Sequence, residues 1–178
     1  MAKETTKPVI ILSGPLGAGK TTVAQEFIKS AADPIVYIEG DRFWQFFVKD
    51  LGKGGRNKNF KIIMSAMTAA AIPFALGGYT VLLDFSIPPW FLETAKKIAG
   101  TKEVPLEYII LRPTETVCAE RAATRNEGVI NDYNFYHELY TSFDEAQQYI
   151  IHDDVNNAAH VAGQIRAGLI TGRFRIYK

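Results

Sequence analysis

Val9-Ile10-Ile11-Leu12-Ser13-Gly14-Pro15-Leu16-Gly17-Ala18-Gly19-Lys20-Thr21-Thr22 is the stretch that decides the fold. Its first four residues are a continuous apolar run that reads as a buried strand. Gly14 to Thr21 then spells G-x-x-x-x-G-K-[ST], a string that this composition produces by chance on the order of 0.007 times per chain. Beyond it, Thr22-Val23-Ala24-Gln25-Glu26-Phe27-Ile28 opens a helix with Val23, Phe27 and Ile28 on one face. Glycines let successive backbone N–H groups, and the N-terminus of the helix, point at phosphate oxygens. Lys20 then reaches the β and γ phosphates, and the Thr21 hydroxyl ligates Mg²⁺. The expectation is a nucleoside triphosphate held by Gly14, Pro15, Leu16, Gly17, Ala18, Gly19, Lys20, Thr21 and Thr22. Lys20 is expected to be catalytic and to stand at a solvent-facing helix start.

Working outward, further short apolar runs stand at Ile35–Ile38, Val81–Leu83, Tyr108–Leu111 and Tyr149–Ile151. Such runs suit strands buried on both faces of a parallel sheet. Between them the pattern predicts helices over Lys20–Ser30, Arg42–Leu51, Phe60–Leu76, Pro89–Ala99, Thr114–Arg125, Phe135–Ala146 and Asn157–Leu169. The alternation points to an α/β fold, a three-layer, doubly wound sandwich with a five-stranded parallel sheet; with the Gly14–Thr21 loop after the first strand, the expectation is the P-loop NTPase arrangement. The uncharged stretch Ile62 to Leu83 is long enough to span a bilayer, but Pro73 and Gly77-Gly78 interrupt it. It reads as a buried helix, a turn and a buried strand, with no membrane role. Leu51–Asn59, Gly-rich and basic, reads as a mobile loop.

The chain has 178 residues, 47% of them hydrophobic and 22% charged. That is the composition of one folded domain, 1–178, rather than of a disordered chain. Net charge is +1, so no overall field argues for wrapping nucleic acid. The charge is uneven, however: Lys49, Lys53, Arg56, Lys58 and Lys61 face only Asp50, and an anion is expected there. One cysteine, Cys118, and three scattered histidines exclude an internal disulfide and a zinc site. With a polar start and no apolar leader core, the expected compartment is the reducing cytoplasm.

A phosphate loop does not say what is done with the nucleotide. Guanine recognition by N-K-x-D has no support, because the nearest string, Asn57-Lys58-Asn59-Phe60, lacks the carboxylate. Val81-Leu82-Leu83-Asp84 is followed by Phe85 where a hydrolytic motor carries a water-activating Glu. Transfer to a bound acceptor remains the natural reading. Asp41, just after the second strand, is the expected base for an attacking hydroxyl, and doubles as a helix cap. Asp84 is expected at the Mg²⁺ or the acceptor, with Thr21 as its metal partner. Arg121 and Arg125 lie four apart on one helix with no acidic partner at helical spacing, and such a pair repels by a few tenths of a kcal/mol. An anion between them would relieve it, which makes both candidate catalytic residues on a lid around 114–134. Phe135, Tyr136, Leu139, Tyr140 and Phe143 read as core, as does Cys118. His137, His152 and His160 are assigned nothing.

These elements together resemble small P-loop kinases, the group of nucleoside monophosphate kinases, gluconate and shikimate kinases and chloramphenicol phosphotransferase. Gly14–Thr21 is similar to their nucleotide loop, Ile38-Glu39-Gly40-Asp41 to their acceptor element, and Leu83-Asp84 to their third strand end. Leu111-Arg112-Pro113 with Glu120-Arg121 and Arg125 resembles a fourth strand and lid helix. The resemblance implies that Asp41 holds or deprotonates an acceptor hydroxyl and that Arg121 and Arg125 contact ATP phosphates. Phe43-Trp44 stand where gluconate kinases carry a His, so gluconate is not implied. The expected activity is ATP- and Mg²⁺-dependent phosphoryl transfer to a small-molecule hydroxyl. Its rivals are an ATP-binding switch without an acceptor and a kinase of nucleic-acid ends.

Overall fold

The computed structural model describes residues 5–48, 55–100, 102–125, 128–155 and 157–176. Five strands form one parallel sheet: β1 (Val9–Ser13), β2 (Ile35–Glu39), β3 (Thr80–Asp84), β4 (Leu106–Leu111) and β5 (Ile150–Ile151), in the order β2-β3-β1-β4-β5. Side chains alternate across a strand, and β1 uses both faces for core. Val9 and Ile11 enter one apolar cluster with α2 (Gly55–Leu76) and α3 (Leu92–Gly100). Ile10 and Leu12 enter the other with α1 (Lys20–Lys29), α4 (Glu115–Ala123) and α6 (Ala158–Thr171). This is the three-layer α/β sandwich expected from the alternation. At about 0.025 kcal/mol per Å² of apolar surface removed from water, these two faces supply the main driving force for folding.

The boundaries differ from the expectation in three places that shape the cleft. Arg42–Leu51 is not an α-helix; Gly40–Phe46 is a 3-10 helix. Its period of three lets Phe43 meet Phe46 (ring centroids 5.2 Å apart) and Trp44 meet Phe47 (6.2 Å). The expected loop Leu51–Asn59 is helical from Gly55 onward, where Arg56 and Lys58 favour helix. Its 51–54 portion, like Lys49, Asp50 and Lys53 of the basic run and residues 126–127 of the expected lid, lies outside the described residues. The helix, turn and strand read from Ile62 to Leu83 are present. α2 carries Pro73 near its end, and Gly77, Gly78 and Tyr79 N–H groups donate to Pro73, Ala75 and Phe74 carbonyls to close it.

The third difference concerns Phe135–Ala146. It is broken into a 3-10 turn (Tyr133–Tyr136), α5 (His137–Ser142) and a second 3-10 segment (Phe143–Tyr149) with Ala146 at φ −133°. The side chain of Asp132 accepts from the Asn134 N–H and starts the first turn. The change of period splits the aromatic set read as core. Tyr140 and Phe143 are buried, whereas Phe135 is 85% exposed. Strand β2, an edge strand, is half-buried along its whole length rather than covered on both faces.

Candidate active site

Ligands of doubly wound sheets sit beyond the carboxyl ends of the strands, where the strand order reverses. Here the reversal is at β1, and the register aligns Leu12 of β1 with Asp84 of β3 and Glu39 of β2. The phosphate-loop sequence leaves β1 at that level. Gly14 and Gly17 have positive φ (139° and 79°), and a Cβ on either would stand 2.2 Å from the Leu111 carbonyl oxygen or 2.1 Å from that of Cys118. Only glycine fits, because the loop is pressed onto the end of β4 and onto α4. Gly19, left-handed at φ 85°, starts α1 without any side-chain cap, and no acidic residue occupies the first turn. The dipole and free N–H groups of α1 are therefore left for an anion.

Lys20 does not face solvent as expected. Its ammonium turns back to donate to the Gly14 carbonyl (3.1 Å), the Pro15 carbonyl (2.9 Å) and Ser86 Oγ (3.0 Å). Burial lowers its pKa, with the positive charge of Arg125 adding to the effect and Asp84 and Asp41 opposing it. These contacts hold the ammonium over the loop. Beside it, Thr21 Oγ1 donates to Asp84 Oδ2 at 2.8 Å, and Tyr37 Oη donates to the same oxygen at 2.8 Å. Asp84 is 4% exposed. A hydroxyl and a carboxylate thus meet at the loop, a hard all-oxygen pair suited to Mg²⁺, which takes one or two protein ligands and completes its shell with phosphates and water. No cluster of three His, Cys, Asp or Glu side chains exists among the described residues.

Asp41 lies in the first turn of the Gly40–Phe46 segment and lines the same cleft. β2 is one strand removed from β1, close enough for Asp41 to feel the charges of Lys20, Asp84 and Arg125. Its carboxyl is held above the usual range, first because the cleft walls desolvate it and then because Asp84 and Glu39 add negative charge; Lys20 and Arg125 oppose this. Asp41 nevertheless remains exposed to solvent where it lines the cleft. Gly40 before it is required, since a Cβ there would meet the Phe85 ring at 2.4 Å.

Arg121 and Arg125 both line the cleft. The Arg121 guanidinium lies 3.8 Å from where a Gly19 Cβ would be, directly over the loop. Neither arginine forms an ion pair among the described residues. α4 itself is anchored: Cys118 and Ala122 are fully buried. Cys118 is the small core residue expected, and burial pushes its thiol up to about 11.

Several cleft residues had not been singled out. Tyr133 Oη donates to the Leu16 carbonyl at 2.7 Å and clamps the loop from 117 residues away. Tyr37 and Ser86 hold Asp84 and Lys20. Ser86 could have been found from its place two residues after Asp84; Tyr37 and Tyr133 carry no local signal. His137, assigned nothing, has Nδ1 2.8 Å from Glu115 Oε1, and His152 Nδ1 is 3.1 Å from the Arg112 carbonyl. The far wall carries Trp44, Arg56, Phe60, Lys61 and Trp90, with Phe135 and Leu139 opposite. The cleft volume of about 1200 Å³ exceeds the roughly 300–1,000 Å³ of a site for one small ligand.

A family model described as an AAA domain matches residues 9–133, most of the chain. The chain belongs to that family. Within it, the loop, Asp41, Asp84 and both cleft arginines all fall inside the matched residues. No curated protein matches the sequence. Solved structures of the same fold include the Deinococcus radiodurans tunicamycin resistance protein, with a TM-score of 0.70, 19% identity, and coverage of 92% of this AAA-domain chain and 95% of that one. The Mycobacterium tuberculosis APS kinase CysC in complex with AMPPNP and APS has a TM-score of 0.69 at 14% identity, covering 93% and 98%. A sugar kinase from Janibacter sp. HTCC2649 has a TM-score of 0.68 at 13% identity, covering 92% and 95%. The likeness establishes the fold, and P-loop kinases share it, in line with the resemblance read from the sequence.

Proposed function

We propose that this chain is a cytoplasmic kinase that transfers the γ-phosphoryl group of ATP to a hydroxyl of a small-molecule acceptor, with Mg²⁺, all within one domain. The observation that carries the reading is a carboxylate, Asp41, standing in one cleft with Lys20 and the Thr21–Asp84 pair. A nucleotide switch needs the loop but not the acid on the opposite wall or the extra volume.

In this reading the loop N–H groups, Gly14 to Thr22, hold the phosphates, and Lys20 exchanges the Gly14 and Pro15 carbonyls for β and γ oxygens. Thr21 and Asp84 would hold Mg²⁺, which supplies charge neutralisation on the phosphates when bound. Asp41 accepts the proton of the acceptor hydroxyl as that oxygen forms its bond to the γ phosphorus. The bond from the γ phosphorus to the β–γ bridging oxygen breaks, and ADP leaves. A base whose pKa is raised toward the working pH is the more effective. Arg121 and Arg125 meet the charge on the transferring group. Because Cys118 and Ala122 are packed in the core, closure of the 114–134 lid is expected at its outer end, from Thr124 onward, rather than in the body of α4.

The test is release of ADP with a panel of metabolites, nucleosides, and aminoglycoside- or phenicol-like alcohols. An acceptor should raise ADP release above background in the wild type, and Lys20→Ala should lower that rate by about 10²–10³ while remaining folded. Equal turnover in both proteins, or no acceptor-stimulated release with any compound, would overturn the reading.

A further inference from the structure

Both tryptophans of the chain stand on the acceptor wall, and each lies under a cation. Arg56 Cζ is 5.6 Å from the Trp44 ring centroid, and Lys61 Nζ is 5.4 Å from that of Trp90. Both distances are within the reach of cation–π attraction. Several cations elsewhere are matched with acids: Arg42 with Glu39, Lys96 with Glu93, Arg112 with Asp144 and Arg175 with Glu107. Arg56 and Lys61 have no carboxylate partner among the described residues. Some of the acids nearest the cleft are otherwise engaged. Glu39 is taken by Arg42, Asp84 by Thr21 and Tyr37, and Glu138 stands on α5; Asp41 also lines the cleft.

A cation resting on a ring uses its face there and keeps its N–H donors for another group. The Arg56 guanidinium in particular retains an edge that matches an oxyanion two bonds at a time. Positions 56 and 61 are about 7.5 Å apart along the α2 axis and about 140° apart around it, and both side chains nonetheless line the one cleft. Trp44 is three residues beyond Asp41 on the same 3-10 segment, so the Arg56 pair adjoins the acid. Phe60 and Phe85, 5.3 Å apart, line the floor between with apolar surface.

Resting on the kinase reading above, we propose that Arg56 and Lys61, backed by Trp44 and Trp90, select an acceptor that pairs an anionic group with a ring-shaped apolar body. The anion, a carboxylate, sulfate or phosphate ester, sits at the two cations. The ring lies between the tryptophans, and the hydroxyl to be phosphorylated points to Asp41.

Because both tryptophans flank the proposed pocket, their fluorescence reports binding without any turnover. The full chain would be titrated with para-hydroxymethylbenzoate, with the corresponding aryl sulfate and aryl phosphate, and with the uncharged benzamide. At least one anion should give a saturable change that weakens with added salt, with the benzamide at least tenfold weaker. Arg56→Ala and Lys61→Ala, both at exposed positions, should each weaken the anion about tenfold and leave the benzamide unchanged. Trp44→Phe and Trp90→Phe assign the two signals. Inorganic phosphate, which the loop can take, should bind the Arg56→Ala variant as well as the wild type. The proposal is overturned if no anion gives an Arg56- and Lys61-dependent change, or if the benzamide binds equally well. It is also overturned if the alanine variants, melting normally, bind the anions like the wild type. The kinase reading fails separately: acceptor-stimulated ADP release with an uncharged alcohol alone would keep that reading and reject this one. Anion binding without ADP release from any acceptor would do the reverse.

Discussion

The two walls of the cleft are built from different parts of the chain. On the nucleotide wall, backbone meets backbone: Gly14 against Leu111, Gly17 against Cys118, and the Leu16 carbonyl under the Tyr133 hydroxyl. Across the cleft, side chains meet side chains, with Arg56 over Trp44, Lys61 over Trp90 and Phe60 against Phe85. Under the proposed function, a triphosphate presents the same oxygens in every case and suits main-chain donors fixed by a tight turn. An acceptor would vary, and a wall of rings and long cations on an exposed helix end can change by substitution without disturbing the sheet.

That contrast predicts unequal tolerance. Gly17→Ala puts a Cβ 2.1 Å from a carbonyl oxygen at a left-handed φ of 79°. The combined overpacking and backbone strain should cost roughly 3 kcal/mol or more. Gly55, at the start of the acceptor-wall helix, also has positive φ (68°), but nothing among the described residues lies within 4 Å of its Cβ position. Gly55→Ala should cost about 1 kcal/mol, from φ alone. Urea unfolding of both variants checks this. Equal losses would mean that the two walls are not differently built.

A smaller effect should appear where the walls meet. Arg121→Ala or Arg125→Ala should lower kcat about tenfold to a hundredfold, the worth of one charged hydrogen bond, and change ATP affinity less, because their contacts strengthen as charge moves. Hydrogen exchange over 114–134 should slow when nucleotide and acceptor are both present, most of all beyond Thr124. Unchanged exchange together with normal turnover in both variants would make the arginines surface charges.

The nucleotide wall was legible in the sequence for the same reason that it is rigid. Its requirements fall on consecutive residues, two of them glycines that no other residue can replace, and the five strand positions follow from unbroken apolar runs. The acceptor wall was legible only in part. Asp41 and Asp84 could be picked out as acids at strand ends, and the excess of positive charge near Arg56 and Lys61 was visible. That each cation lies over a tryptophan was not, since Trp44 and Trp90 come from separate segments brought together by β2 and β3. The 3-10 period of Gly40–Phe46 and the break at Tyr133–Tyr136 were missed because aromatic residues three and four apart suit both helix types. Phe135 was therefore read as core, though the altered period turns it to the cleft. Tyr133 and Tyr37 act over long separations, which periodicity does not encode.

The most direct test of the account is Asp41→Asn, assayed across pH with the acceptor that the ADP-release panel identifies. The substitution keeps shape and removes the base. The account predicts a fall in kcat of about 10²–10⁴ with ATP affinity unchanged. In the wild type, kcat/KM should decline on acidification through a pKa above the ordinary 3.8, because the cleft holds the Asp41 carboxyl up, and that limb should be lost in the variant. The sign for stability is opposite. A carboxyl with a raised folded-state pKa stabilises the fold at low pH and loses that contribution as pH rises through the raised value. Asp41→Asn should therefore melt no lower than the wild type at neutral pH. Full activity in the variant, an unchanged acid limb, or loss of ATP binding together with stability would contradict the assignment of Asp41 as the base.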